Sequence, residues 1–302
     1  MRTRRLGNSG LEVSTLCLGA MTFGEADEKS FMHKVGADEP TSFAMMDRAR
    51  EAGVNFLDTA DVYGQDGLSE RVVGRWLKER GVRDEIVLAT KFRFVMRPGP
   101  NGRGAARIHI REACEASLRR LGVDYLDVYL LHWPGRHPLA ETLEAFITLR
   151  EKGFIRAWGI SNFDLEGLGR WQKSESAAGV GDACATNQIY YALSARNSEF
   201  DLLPTMKAQS MPLMAYSPLG SGQLMRDAKL RSIAEKHGLS PAQMAIAWTM
   251  RDPNVISIPK SVRPDRIEEN FKASQITLSA QANADLDAAF PPPSRKMPLA
   301  ML

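Results

Sequence analysis

Cysteine is scarce in this chain. Its 302 residues include three, Cys17, Cys114 and Cys184. They are far apart and odd in number, and no CxxC pair occurs, so neither a disulfide framework nor a zinc site is indicated, and no metal is expected. Isolated thiols of this kind suit a reducing compartment. Net charge is also small: Lys plus Arg number 39 and Asp plus Glu 36, a formal +3. The basic residues are dispersed, and Arg2-Thr3-Arg4-Arg5 and Arg119-Arg120 read as solvated clusters, so no nucleic-acid partner is expected. No apolar run approaches the roughly 18 residues a membrane helix needs. The basic N-terminus is followed by no apolar core of a signal peptide. The expected location is therefore the cytoplasm, with no membrane partner. Three nucleotide or metal signatures are missing as well: GxGxxG after the first strand, GxxxxGK[ST], and HExxH. Leu18-Gly19-Ala20-Met21 offers one glycine where the first of these requires several.

What is present is ordinary globular composition, 44% hydrophobic and 25% charged, with length enough for a sizeable core. Arg2 to Ser14 reads as a hairpin turning at Gly7-Asn8-Ser9-Gly10. A short strand, Leu16 to Leu18, ends at Gly19, where the backbone can come close to another group. Residues 23 to 38 read as a loop, followed by a helix capped by Thr41 or Ser42 and running to Ala52. Strands are then expected at Phe56-Leu57, Ile86–Ala89, Leu126–Leu131, Ile155–Ile160, Ala185–Gln188, Leu213–Ala215 and Val255–Ile258. Helices are expected between them, and a mobile loop from Phe92 to Ala105. Ser240 with Gln243 fits a capping box, with Pro241 in the first turn.

Strand and helix thus alternate about eight times, with no linker-like break, which means parallel strands joined by helical crossovers. An open doubly wound sheet and a closed barrel both satisfy that pattern. Count and length favour the parallel (β/α)8 TIM barrel. In that architecture the N-terminal hairpin caps the barrel bottom, two helices are additional, and residues 1–302 form one α/β domain.

In a barrel the carboxyl ends of the strands converge on one mouth. Asp58, Tyr63, Lys91, His132, Ser161, Asn162, Gln188, Tyr216, Ser217 and Lys260 all stand at such ends. Four of them suggest a chemistry. A phenol titrates near pH 10 in isolation, and a nearby ammonium favours its phenolate. A carboxylate would hold that ammonium, and an imidazole beside the phenol would orient a carbonyl oxygen. This is a proton donor with a cradle for a developing alkoxide. It lacks a nucleophile or metal, so the electrons must come from a bound hydride donor.

The motifs carrying these residues are Gly53-x-Asn55-Phe56-x-Asp58-Thr59-Ala60-x-x-Tyr63-Gly64, Leu88-Ala89-Thr90-Lys91, Asp124-Tyr125-Leu126-Asp127 leading into His132, Gly159-Ile160-Ser161-Asn162-Phe163, Ala215-Tyr216-Ser217-Pro218-Leu219 and Ile258-Pro259-Lys260-Ser261. In this order the chain resembles the aldo-keto reductase family from about Leu16 to Asn270. The resemblance implies NADPH-dependent reduction of small aldehydes or ketones, with Asp58, Tyr63, Lys91 and His132 as the catalytic tetrad and Tyr63 as general acid. It places Ser161, Asn162 and Gln188 on the nicotinamide carboxamide and Tyr216 against the nicotinamide ring. Ser217, Leu219 and Ser221 fall on the pyrophosphate, and Gly19 counts among the cofactor-binding residues. Lys260, Ser261 and Arg266 fall on the 2′-phosphate, and Glu269 and Asn270 on the adenine end. Lys260 and Arg266 flank a helix start near Pro264, where cations and backbone N–H groups suit a phosphate monoester, and Arg263 adds a third cation. Met21, Phe23, Phe92 and Trp133 are candidate substrate-pocket walls, with Phe94 beside them. His33, His109, His137 and His237 are expected in loops or at the surface. Relatives of this fold also serve as cofactor-binding regulatory subunits, and others work mainly as sugar or alcohol dehydrogenases. The sequence leaves both alternatives open, along with the oligomeric state.

Overall fold

The chain enters through an antiparallel hairpin of β1 (Thr3–Arg5) and β2 (Glu12–Ser14). The structure, a computed structural model, describes residues 1–24, 36–260 and 264–302. After the hairpin come eight parallel strands. They are β3 (Leu18–Gly19), β4 (Phe56–Asp58), β5 (Val87–Phe92), β6 (Leu126–Leu131), β7 (Ile155–Ser161), β8 (Cys184–Tyr190), β9 (Leu213–Tyr216) and β10 (Val255–Ile258), each hydrogen-bonded to the next in sequence. Parallel neighbours require crossovers. These are supplied by α1 (Glu39–Glu51), α2 (Leu68–Arg80), α3 (Arg107–Leu121), α4 (Leu139–Glu151), α5 (Leu165–Ala177) and α6 (Leu202–Ala208), then by α7 (Ala228–Lys236) with α8 (Pro241–Thr249). Two helices, α9 (Pro264–Ala273) and α10 (Ala280–Ala289), follow the last strand.

The two edges of the sheet meet. The Cys17 N–H donates to Ser257 O at 2.8 Å and the Ser257 N–H donates to Thr15 O at 3.0 Å. This closes the sheet into the expected (β/α)8 barrel and leaves no long edge unpaired. Among the described residues α7 and α10 are the helices additional to the repeat. They are tied together by Lys236 and His237, both on Asp285, at 2.7 and 2.8 Å.

Alternation along the strands sorts the apolar residues into two layers. Phe56, Ala89, Val128, Leu130, Ala157, Ala185, Met214, Ile256 and Ile258 fill the barrel interior. Leu6 and Val13 of the hairpin join them, so the hairpin closes the barrel bottom as expected. Leu57, Leu88, Phe92, Tyr129, Leu131, Trp158, Ile160 and Leu213 point outward and pack under the helices. The same period decides what stands at the mouth. Two residues after Phe56 comes Asp58, two after Ala89 comes Lys91, two after Met214 comes Tyr216, and two after Ile258 comes Lys260.

Several boundaries differ from expectation. The cap of α1 is Asp38, whose carboxylate accepts from the Thr41 N–H at 2.9 Å, and not Thr41 or Ser42. Pro40 in the first turn needs no donor there. Strand β5 continues through Lys91 to Phe92 instead of stopping at Ala89. Residues 93–105 fold back on themselves, with the Gly104 N–H on Arg93 O at 2.7 Å and the Met96 N–H on Gly102 O at 3.0 Å. His109 is buried on α3 and not at the surface. Most of the loop expected at 23 to 38, His33 included, lies outside the described residues.

Candidate active site

Asp58 ends β4, and the chain then turns along β5. The Thr59 N–H donates to Ala89 O at 2.9 Å and the Asp61 N–H to Lys91 O at 3.0 Å. This brings Tyr63 back over the barrel mouth. The Lys91 ammonium is fully buried and has three neighbours. It donates to Asp58 Oδ2 at 2.7 Å, to Thr59 O at 2.8 Å and to the Tyr63 hydroxyl at 3.2 Å. The second carboxylate oxygen, Asp58 Oδ1, accepts from Gln188 Nε2 at 2.8 Å. His132 follows β6, with its N–H on Phe92 O at 3.1 Å. Its ring meets Tyr63 edge-on, centroids 5.8 Å apart, and has Phe94 beside it at 5.1 Å. Asp58, Tyr63, Lys91 and His132 therefore share one mouth, as their strand-end positions led us to expect.

The electrostatics correct one expectation. The Lys91 ammonium does favour the Tyr63 phenolate, but burial acts more strongly in the other direction, and Asp58 adds to it. The phenol titrates above its ordinary value, not below it. Burial also works against the charged form of Lys91, but Asp58 and Tyr63 outweigh it, so the group titrates above the ordinary lysine value. His132 is driven well below the ordinary imidazole value by burial, then by Lys91 and Arg93. At neutral pH the site thus holds a protonated phenol, an ammonium and a neutral imidazole.

The expected cofactor residues form a second, connected group. The Ser161 hydroxyl donates to Gln188 O at 2.9 Å. Asn162 Nδ2 donates to His132 O and to the Ser161 hydroxyl, both at 3.1 Å, and Tyr216 donates to Asn162 Oδ1 at 3.0 Å. Gln188 reaches the interior because of a bulge. Between Trp158 and Ile160 strand β7 advances two residues while β8 advances three, from Cys184 to Asn187. That extra residue reverses the parity of β8, so Ala185 and Gln188 both face inward. Asn162, Ser217 and Ser221 hold left-handed backbones, φ +62°, +50° and +52°. Non-glycine residues keep such conformations where surrounding structure enforces them, and they cluster at ligand sites. Leu219 is half-buried and Ser221 exposed along the same segment. Lys260 is half-buried, and burial lowers it to about 8. On α9 Arg266 is exposed, Glu269 half-buried and Asn270 buried. Ser261 and Arg263 lie outside the described residues. The space left by Gly19 is taken by Ile258, whose Cγ2 lies 3.1 Å from where a Cβ would stand.

A family model described as the aldo/keto reductase family matches residues 15–290. The chain belongs to the aldo/keto reductase family. Methylglyoxal reductase YeaE of Escherichia coli K12 is 38% identical over 278 residues, covering 90% of this chain and 92% of that protein. Two crystal structures of aldo-keto reductases from Klebsiella pneumoniae are each 35% identical, with full coverage of both chains. One, in complex with NADPH, superposes with a TM-score of 0.84, and the other, in complex with NADP and acetate, with 0.85.

Two of the substrate-wall expectations fail in this aldo/keto reductase. Phe92 is fully buried in the outer layer, stacked on Tyr129 at 4.9 Å and edge-on to Phe146 at 5.8 Å. The longer β5 places it on the outward parity. Phe23 is buried in the same layer. Met21, 40% exposed, and half-buried Trp133 and Phe94 remain at the surface around the mouth. Three residues of interest went unmarked in the sequence. Tyr190 lies beside Tyr216 in the β8–β9 register, and their rings stack at 5.8 Å with 20° between planes. Asp61 is fully buried, with neither carboxylate oxygen hydrogen-bonded to a side chain of the described residues. Arg93 is half-buried directly after β5. Tyr190 was within reach, because it follows Gln188 by two positions. Among the described residues no group of acidic, histidine and cysteine side chains has metal-binding geometry, and no helix is long and apolar enough to cross a membrane.

Proposed function

We propose that this chain reduces small aldehydes and ketones to alcohols with NADPH, and that Tyr63 donates the proton. The observation that carries the reading is the buried Lys91 ammonium, bonded at once to Asp58 at 2.7 Å and to the Tyr63 hydroxyl at 3.2 Å. Such an arrangement has little structural value alone, since buried charges are costly unless fully paired. It fits a site where negative charge appears on an oxygen during the reaction.

The neutral His132 imidazole and the Tyr63 hydroxyl flank the position of a carbonyl oxygen, and each can donate one hydrogen bond to it. When bound, NADPH supplies the hydride to the carbonyl carbon. As charge develops on the oxygen, Tyr63 gives up its proton, and Lys91 stabilises the phenolate left behind. Asp58 keeps Lys91 charged and in place, and Gln188 holds the second oxygen of that carboxylate. Tyr63 then recovers a proton from water.

The fit of the cofactor rests on the side chains present. Tyr216 has one face covered by Tyr190 and can offer the other to a nicotinamide ring. Ser161, Asn162 and Gln188 carry the donors and acceptors a carboxamide needs. Lys260 and Arg266 at the end of β10 and on α9 suit a 2′-phosphate, which is why NADPH is favoured over NADH. The NADP-bound relatives and the methylglyoxal reductase support the same reaction class. The test is turnover of a panel of aldehydes with NADPH deuterated at the transferred position. Deuterium in the product alcohol supports the reading. An intact Tyr63 enzyme that reduces no aldehyde, or a Tyr63→Phe enzyme with full turnover, would overturn it.

A further inference from the structure

Arg93 stands next to His132 at the strand ends, and no acid among the described residues lies within ion-pair distance of it. It follows Phe92, whose carbonyl accepts the His132 N–H, so Arg93 and His132 leave adjacent strand ends together. The guanidinium is half-buried and reaches across to the next loop, where Nη2 donates to Pro134 O at 3.0 Å. That is the one hydrogen bond it makes among the described residues, from a group with five donors. Four other inward-lying arginines are paired with carboxylates, whereas half-buried Arg4 meets the side-chain amide of Asn254. Arg83 meets Asp127 at 2.8 Å, Arg120 meets Glu70 at 2.6 Å, Arg196 meets Glu199 at 2.7 Å and Arg251 meets Glu199 at 2.9 Å. Its charge is felt at the active centre, because it is one of the causes that push His132 downward. The backbone also departs from the ordinary: Arg93 has φ +145°, and its carbonyl is held by the Gly104 N–H at 2.7 Å. A half-buried cation on a strained backbone, with one side-chain hydrogen bond to the described residues and its other donors open to the mouth, is suited to an anion that arrives from outside.

We infer that Arg93 binds a carboxylate on the substrate, so that the aldehydes this site prefers are short oxo-acids carrying the anion a few bonds from the reducible carbonyl. Arg93 sits on the β5 side of His132, and its planar fork matches a carboxylate in two-pronged fashion. The inference rests on the reductase reading, and deepens it by naming the substrate class.

The experiment compares 4-oxobutanoate with butanal, a neutral aldehyde of equal length, in the wild type, Arg93→Met and Arg93→Lys. The wild type is expected to favour 4-oxobutanoate in kcat/KM. Arg93→Met should lose about tenfold to a hundredfold for 4-oxobutanoate, as removal of a charged hydrogen-bond partner does. The loss should appear mainly in KM, with butanal falling at least about fivefold less than 4-oxobutanoate and Arg93→Lys intermediate. A second readout needs no turnover: succinate, which cannot be reduced, should quench tryptophan fluorescence in the wild type and Arg93→Lys but not in Arg93→Met. If butanal and 4-oxobutanoate are both inert in the wild type, the reductase reading fails, and succinate binding still judges Arg93. A wild-type preference for butanal, succinate binding indifferent to Arg93→Met, or an equal fall for both aldehydes in Arg93→Met would overturn the assignment. The equal fall would mark Arg93 as a prop for the Pro134 loop.

Discussion

Lys91 and Tyr63 meet 3.2 Å apart, nitrogen to phenolic oxygen, at the end of a strand that buries the lysine completely. Two substitutions separate what this contact does. Tyr63→Phe keeps the ring and removes the proton, so turnover should fall by about 10²–10⁴-fold, the range general acids supply. NADPH binding and thermal stability should stay close to wild type. Lys91→Met also removes turnover, but it leaves Asp58 buried without its cation. Breaking a buried pair from one side costs about 3–5 kcal/mol. Denaturant unfolding should therefore show a clear loss for Lys91→Met and almost none for Tyr63→Phe. Equal stability of the two variants would mean that Asp58 is satisfied without Lys91.

The neutral imidazole of His132 makes stability depend on pH in a defined direction. Burial, then Lys91 and Arg93, hold it well below the ordinary value of about 6.5. In the unfolded chain the ring takes up a proton as pH drops below that value, whereas in the native state it does not. The unfolded state then binds more protons, so stability falls with falling pH. This contribution is complete above the unfolded value and is lost progressively below it. His132→Gln, neutral at every pH, should flatten that part of a melting-temperature profile. An unchanged acid slope would assign the loss to other groups.

Tyr63 is pushed the other way, and this affects activity instead. Burial raises its titration above that of a free phenol, against the pull of Lys91. The proposed proton donor is therefore fully loaded across neutral and mildly alkaline pH. The reduction rate, measured at saturating NADPH, should stay flat until it declines above about pH 10. A decline centred near neutrality would mean that another group limits the reaction.

Lys260 offers the corresponding test for the cofactor. Burial lowers it to about 8, so its charge falls as pH rises through that value. Affinity for NADPH should weaken over this range, while affinity for NADH, which lacks the 2′-phosphate, should not. Lys260→Met should remove the difference in pH response and reduce the preference for NADPH by about tenfold. Fluorescence titration of both dinucleotides measures this directly. A parallel pH response for NADH would place Lys260 away from the phosphate.

The barrel and the meeting of Asp58, Tyr63, Lys91 and His132 at its mouth were legible because both depend on local rules. Helix and strand signals alternated, and catalytic types recurred at strand ends. Asp58 and Lys91 then point inward by the same two-residue period as Phe56 and Ala89. What the sequence hid was set by neighbours. The bulge that turns Gln188 inward exists only in the register of β8 against β7. Phe92 looked like a pocket wall because β5 was expected to stop three residues early. With the strand extended, its parity places it under the helices. The direction of the Tyr63 shift needed the depth of burial, which a list of nearby charges does not give. Arg93 carries no sequence signal, because an arginine in a glycine-rich loop normally lies in solvent.

Tyr190 is the simplest of the hidden residues to test. It is buried, 8% exposed, and stacks on Tyr216 across the β8–β9 register at 5.8 Å. Aromatic pairs of this kind contribute about 0.5–1.5 kcal/mol beyond the area they bury. Here the pair fixes one face of Tyr216, and so fixes the plane available to a nicotinamide ring on the other face. Tyr190→Leu keeps most of the buried apolar volume and removes the flat support. NADPH should then bind about twofold to tenfold more weakly, the same energy read as an equilibrium constant. Turnover at saturating cofactor should fall less, because Tyr63, Lys91 and His132 are untouched. Fluorescence titration and steady-state rates, measured on one preparation, separate the two effects. A large fall in saturated turnover with unchanged NADPH affinity would show that Tyr190 acts on the catalytic group and not through Tyr216.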